Sequence, residues 1–295
     1  MINKKLEIKR IILFVLLAYL ITWIPEITLT VIHGDFMSWA GSTKFGFLSV
    51  LLMFPPAIAN ILTRIITKEG WKDSYLHLHL QGNFKYYIFG ELFTVFCGMV
   101  AGIIMAYVFG NGLSLKNILE ANSLVSILAI TGIMLAIAPA LSFYTFGEEF
   151  GWRAYLYPKL EKLTGTTGAV IIGGIIWGIW HAPITIGGHN FGTDYWGYPW
   201  LGILMMCVYC IVIGCALMWI TKKTKSVYPA AIAHSVNNNF AGSMAVIFCP
   251  ELTELQESGE LNQAYYMLLF IIPFVILGII ILFIMLKEQK QNLTV

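Results

Sequence analysis

The sequence predicts an all-α, multi-pass transmembrane bundle of about eight spanning helices, with a polar cavity in the cytoplasmic half. Three observations carry this expectation. Of the 295 residues, 58% are hydrophobic and only 12% are charged, where soluble domains carry roughly 25% charged residues. Eight long apolar stretches divide the chain, each near the roughly 20 residues that a spanning helix needs. The basic residues fall almost wholly on one side of the crossings that these stretches imply.

The stretches run at about 11–32, 47–66, 84–109, 123–146, 168–186, 197–220, 228–248 and 264–286. All exceed the alternating segments of about ten residues found in outer-membrane barrels, so helices are expected. The first is too long for a signal-peptide core and lacks a small-residue cleavage site, so it reads as a retained helix. The fourth contains Pro139, which removes a backbone hydrogen bond. Its helical pattern then continues through Glu148 to about Leu163, where Thr164-Gly165-Thr166-Thr167-Gly168 stops it. The fifth is the shortest, and Ala182-Pro183 bends or ends it after His181. Trp196 and Trp200 at the start of the sixth, and Trp219 at its far end, fit aromatic belts.

If the N-terminus is cytoplasmic, the inner segments hold Lys4, Lys5, Lys9, Arg10, Arg64, Lys68, Lys72, Lys85, Arg153, Lys159, Lys162, Lys222, Lys223, Lys225, Lys287 and Lys290. These are all but Lys44 and Lys116 of the 18 basic residues. Both termini are therefore expected in the cytoplasm, with the protein in the cell membrane. The connections are short and no soluble domain interrupts them, so residues 1–295 read as one transmembrane domain. The lipid bilayer is one expected partner. A net charge of +2 gives no argument for nucleic acid. No internal repeat supports a transporter of the inverted-repeat kind. Cys207 and Cys210 form a C-x-x-C within a span, but without a second pair, and all five cysteines read as apolar packing residues.

Ionisable residues inside these stretches are the candidate functional groups, because hydrocarbon makes them costly, by about 2.5–3.5 kcal/mol on insertion scales. Glu148-Glu149-Phe150-Gly151-Trp152-Arg153 reads E-E-x-x-x-R. Glu149 and Arg153 stand at i and i+4 on a helix and share a face, which leaves Glu148 as the unpaired acid and a candidate general base. Trp177-Gly178-Ile179-Trp180-His181 places an imidazole four residues after an aromatic. His234 and Asn238 are i and i+4, so both are expected to donate into a cavity, as an oxyanion requires. Asn237 is a possible substitute. Taken singly, each motif is equally a satisfied helix–helix contact.

Helix rise brings the motifs to one depth. Glu148 lies about 16 Å from Lys159, His181 about 20 Å past Gly168, and Asn238 about 20 Å past Lys225. Glu26 and Glu91 are weaker embedded candidates. His189 and Asp194 read as solvated loop residues, and His77 with His79 as weak evidence for metal. No H-E-x-x-H, no G-x-S-x-G and no deep pair of aspartates occurs.

The ordered set of E-E-x-x-x-R, aromatic-x-x-x-His and H-x-x-x-N resembles the CAAX-protease and bacteriocin-processing (CPBP, or Abi) family, which includes the type II CAAX prenyl endopeptidases. The resemblance covers about residues 140–248, and it places a catalytic core at about 123–248. It departs at Trp177, where the family more usually has Phe. It implies an intramembrane glutamate-dependent endopeptidase, with Glu148 as base on a water, helped by His181. His234 and Asn238 then stabilise the oxyanion, and Glu149 and Arg153 support the site. It implies a peptide or protein substrate, prenylated or a bacteriocin or signalling-peptide precursor. No cofactor is required on that mechanism. The family's older description as metalloproteases leaves open a zinc held by His181, His234 and Glu148, though no zincin motif is present. The rival from another class is a non-enzymatic immunity, peptide-binding or transport protein with the same fold. Oligomeric state is not readable from the sequence.

Overall fold

A computed structural model describes residues 3–293 apart from Asn111. Among them the chain is helical with no strand. The long helices are α1 (Lys4–His33), α4 (Pro55–Ile66), α5 (Phe84–Phe109), α7 (Leu124–Gly151), α8 (Tyr157–Trp180), α10 (Trp200–Thr224) and α14 (Gln263–Leu293). Shorter helices are α2 (Phe36–Ala40), α3 (Gly46–Leu51), α6 (Leu115–Ala121), α9 (Ala182–Ile186), α11 (Tyr228–Val236), α12 (Gly242–Phe248) and α13 (Glu251–Glu257). Single π-helical turns at Trp152–Leu156 and Asn237–Ala241 join α7 to α8 and α11 to α12.

The outer surface is that of a protein solvated by lipid. On α1, Ile12, Leu16, Leu20, Ile24, Ile27 and Val31 are exposed at helical spacing, while Phe14, Ala18, Thr22 and Glu26 are buried on the opposite stripe. A continuous exposed apolar face of this length is costly in water and matches a bilayer. This is an all-α, multi-pass integral membrane protein.

Six helical runs among the described residues are long and apolar enough to cross a membrane, against the eight expected. The difference has two causes. One run, Leu124–Trp180, spans 57 residues and contains a reversal at Gly165, whose φ of 74° only glycine adopts readily. Beyond it the chain returns along itself, so that Gly173 meets the ring of Tyr157 and Trp180 packs on Trp152. The second cause is the 228–248 segment, whose His, Ser and Asn residues lower its hydropathy. It still follows α5 for its whole length, with Gly90 against Pro229, Gly98 against Ala241 and Gly102 against Ala245.

Two packing features fix the core of the bundle. At one end Lys159, buried, bonds to Glu7 and Glu69, and Glu7 also holds Arg10 at 2.5 Å. This ties α1, α8 and the loop after α4 together on the face that carries the basic residues. Nearer the middle, Gly147 and Gly151 form a notch on α7 that α4 fills. A Cβ at Gly151 would lie 2.4 Å from the Pro56 side chain and 2.6 Å from its backbone. Gly151→Ala is therefore expected to destabilise the protein by about 1–3 kcal/mol through overpacking. Thermal melting in detergent checks this, and an unchanged midpoint would mean that α4 is free to slide.

Candidate active site

The α4–α7 notch sets how α7 presents its two acids. With the glycine face of α7 held against α4, Glu148 and Glu149 turn toward α8 and α11. Asn60 on α4 fastens this arrangement by donating from Nδ2 to the Phe150 carbonyl at 2.7 Å. Both glutamates are buried, and Glu149 is 0% exposed.

Their partners differ. Glu148 Oε2 accepts from the Trp177 indole Nε1 at 2.7 Å. Glu148 is therefore not the wholly unpaired acid that the spacing suggested, and Trp177 does what a Phe at its position could not. Glu149 lies 3.2 Å from Arg153 Nε through Oε2, as the i, i+4 spacing required. Its other oxygen meets His234 Nδ1 at 2.8 Å, a contact that no spacing rule could reveal across 85 residues. The Arg153 guanidinium lies over Trp177, 3.9 Å from the ring centroid, and 5.1 Å from that of Tyr157. It is thus held by one carboxylate and two aromatic faces.

Both imidazoles are fixed by the same ring atom. His181 Nδ1 bonds the Trp177 backbone carbonyl at 2.9 Å. Since carbonyl and carboxylate oxygens only accept, Nδ1 carries the proton in His181 and in His234. Nε2 is then the ring atom left for chemistry in each.

One cavity of about 480 Å³ collects these groups. Glu148, His181, His234 and Asn238 all line it, while Glu149 and Arg153 stand behind the wall. Asn238 reaches the cavity by an unexpected route. The π-helical turn at Asn237–Ala241 breaks the i, i+4 register with His234, so Asn238 is exposed where His234 is buried. Asn237 lines the cavity too, but its Oδ1 accepts from Tyr209 and its Nδ2 donates to Asn238 Oδ1 at 3.2 Å. Asn239 turns away, to Tyr144 and the Ser235 carbonyl.

The cavity corrects one expectation. It extends toward Phe36, Ser49, His189 and Gln263, at the end of the bundle opposite the basic loops. On the charge-based orientation that is not the cytoplasmic half. The reason lies in the depth arithmetic: a position 20 Å from the basic helix ends has already passed the middle of a hydrocarbon core about 30 Å thick.

Sequence reasoning missed two further lining residues. His189, read as solvated, stacks parallel to His181 with centroids 6.3 Å apart and packs edge-on against Phe36. Burial pulls its ring well below the ordinary imidazole range, to about 4, so it is neutral at pH 7. Glu26, noted only as an embedded acid, opens into the same cavity. For a metal, the donor set does not fit: among the described residues no three His, Cys, Asp or Glu side chains gather as ligands. His77 and His79 stack on one another, and His79 Nδ1 is engaged by the Thr224 carbonyl.

Fold and site together define a class: a multi-pass helical membrane protein with an acid, two imidazoles and a carboxamide around one intramembrane cavity. Within that class, residues 127–240 match the family described as type II CAAX prenyl endopeptidase Rce1-like, which bears out the resemblance carried by the three motifs. The chain is 32% identical over 152 residues to the lysostaphin resistance protein A of Staphylococcus haemolyticus, covering 50% of this chain and 37% of that protein. It is 28% identical over 116 residues to the CAAX prenyl protease 2 of Methanococcus maripaludis, covering 39% of this chain and 41% of that one. The alignments thus span about two fifths of the length of these curated relatives.

Proposed function

We propose that this protein is an intramembrane endopeptidase, CAAX-protease-like, in which Glu148 and the imidazoles activate a water against a peptide bond. The core at about 123–248 carries the reaction within a single transmembrane domain. The observation that supports it most is the shared cavity of Glu148, His181, His234 and Asn238, with Glu149 held behind His234.

In this reading Glu148 takes a proton from a water that His181 orients through Nε2. The water oxygen attacks the carbonyl carbon and a tetrahedral oxyanion forms. The Asn238 amide and His234 meet that oxyanion. His234 donates from Nε2 when protonated, and Glu149 steadies the positive ring through Nδ1. With Arg153 beside Glu149, the trio then carries a net positive charge where negative charge develops, the arrangement that stabilises acyl-transfer intermediates. Glu148 returns its proton to the leaving amine, and the bond is cut. The groups given these steps need no metal. The substrate is a peptide or protein that reaches the cavity at the membrane.

The direct test is cleavage of a quenched-fluorescence peptide library by the purified protein in detergent. Cleavage by the wild-type protein that is lost in His181→Ala supports the reading. Peptide binding without any product would instead make this a non-enzymatic relative.

The topology belongs to the same proposal. Eight crossings with both termini in the cytoplasm explain why α4 and α7 run the same way while α8 and α10 oppose. The native cysteines are all buried, so background labelling is low. Single cysteines at Lys44, Lys116 and Glu257 are expected to react with an impermeant maleimide in intact cells. Cysteines at Lys72 and Lys223 are expected to react only after permeabilisation. One reversed site refutes the eight-crossing arrangement.

A further inference from the structure

The cavity holds a second carboxyl that the proposed mechanism does not use. Glu26 follows Phe14, Ala18 and Thr22 on the inward stripe of α1, and it is only 3% exposed. It lines the cavity with Glu148, and the two repel when both are ionised. Its Oε2 is buried with no hydrogen-bond partner. The neighbouring donors are spent elsewhere: the Trp180 indole bonds Thr22 Oγ1 at 2.8 Å, and the Trp39 indole faces Thr30 Oγ1 at 3.4 Å. Among the described residues no Lys or Arg lines the cavity to neutralise it.

A buried acid in this state is a liability for folding, because an ionised carboxylate needs a counter-charge or several donors. Glu149 has the counter-charge of Arg153 and one donor in His234 Nδ1. Glu26 has neither, so it rests as the neutral acid and is free to ionise against a cation that arrives from outside the protein.

The approach to the cavity has the same sign. The loops at its end of the bundle carry Asp35, Glu120, Asp194, Glu251, Glu254, Glu257 and Glu260 against only Lys44 and Lys116. Such a surface raises the local concentration of cations and speeds their capture. The aromatic rings of Trp39 and Phe36, which line the same cavity, suit a cation as well. A free C-terminal carboxylate, by contrast, meets two acids and no Lys or Arg among the described lining residues.

Resting on the endopeptidase reading, we propose that Glu26 is a specificity-determining residue that seats a Lys or Arg side chain of the substrate peptide, so the protein selects cationic segments. The test separates binding from cleavage. Two fluorescein-labelled decapeptides of Ala and Leu, one with a central Lys and one with Gln there, are titrated onto full-length Glu148→Gln protein in detergent. The Lys peptide is expected to bind at least tenfold tighter at low salt. Adding Glu26→Gln, which keeps size and removes charge, is expected to bring the two to parity. Equal binding of both peptides to the Glu148→Gln protein overturns the proposal without needing the second variant. Discrimination that persists in Glu26→Gln overturns it too. On the active protein, Glu26→Gln should raise KM for the Lys peptide about tenfold with kcat within twofold. A fall in kcat at unchanged KM would make Glu26 a reacting acid instead. Charge discrimination without any cleavage would uphold the subsite and strike only the endopeptidase reading.

Discussion

Glu148→Gln is expected to remove peptide cleavage while leaving the protein folded. Loss of a positioned general base costs about 100- to 10,000-fold in rate. The amide has the size of the carboxyl, and its oxygen still accepts the Trp177 indole bond now made at 2.7 Å. No charged partner is stranded, because Glu148 is bonded to a neutral donor. The melting temperature should therefore stay close to that of the wild type. Rates measured with a quenched peptide, beside a melt of the same preparation, decide the matter. Cleavage above a tenth of wild type would assign the base to another group.

Glu149→Gln is expected to behave differently, in both stability and rate. It leaves Arg153, 1% exposed, without its carboxylate. Breaking a buried pair by removing one partner costs about 3–5 kcal/mol. The double variant Glu149→Gln with Arg153→Met removes both charges and should recover much of that stability. Sequence spacing alone made Glu149 the partner of Arg153, in support of the site. The 2.8 Å contact with His234 Nδ1 changes that expectation. An amide cannot steady a protonated ring as a carboxylate does, so cleavage should fall as well, and the double variant should regain its melt but not its rate. Recovery of both together would confine Glu149 to a structural part.

The helical, multi-pass character was legible because composition, segment length and charge asymmetry all pointed the same way. The pairing of Glu149 with Arg153 was legible because it needs only local helix geometry. What stayed hidden depended on features without a sequence signal of that kind. The π-helical turn at Asn237–Ala241 displaces Asn238 by a fraction of a turn, and no periodicity announces it. His189 sits in a loop whose path over His181 is set by positive φ at Gly188, Asn190 and Gly192, so a polar loop histidine looked solvated. Glu26 was visible as an embedded acid, but its place in the cavity depends on how α1 packs against α8, through Tyr19 and Trp23 to the carbonyls of Ile176 and Trp180. The indole of Trp177 was the one overlooked clue in plain view: a hydrogen-bond donor one turn before His181, where a plain aromatic ring would have sufficed for packing.

The reversal at Gly165 bears on how the chain is made. It folds Leu124–Trp180 into a hairpin in which Glu149 has Arg153 on its own arm and Glu148 has Trp177 on the other. His234, the remaining partner of Glu149, emerges from the ribosome 85 residues later. A growing chain that delivered Glu148 and Glu149 to lipid alone would face the insertion penalty of two acids at once. Released as a pair of helices, the segment carries its own neutralising groups and can enter the bilayer as a unit, then wait for the imidazole. The order of residues along the chain thus gives each acid a companion before the last imidazole is made.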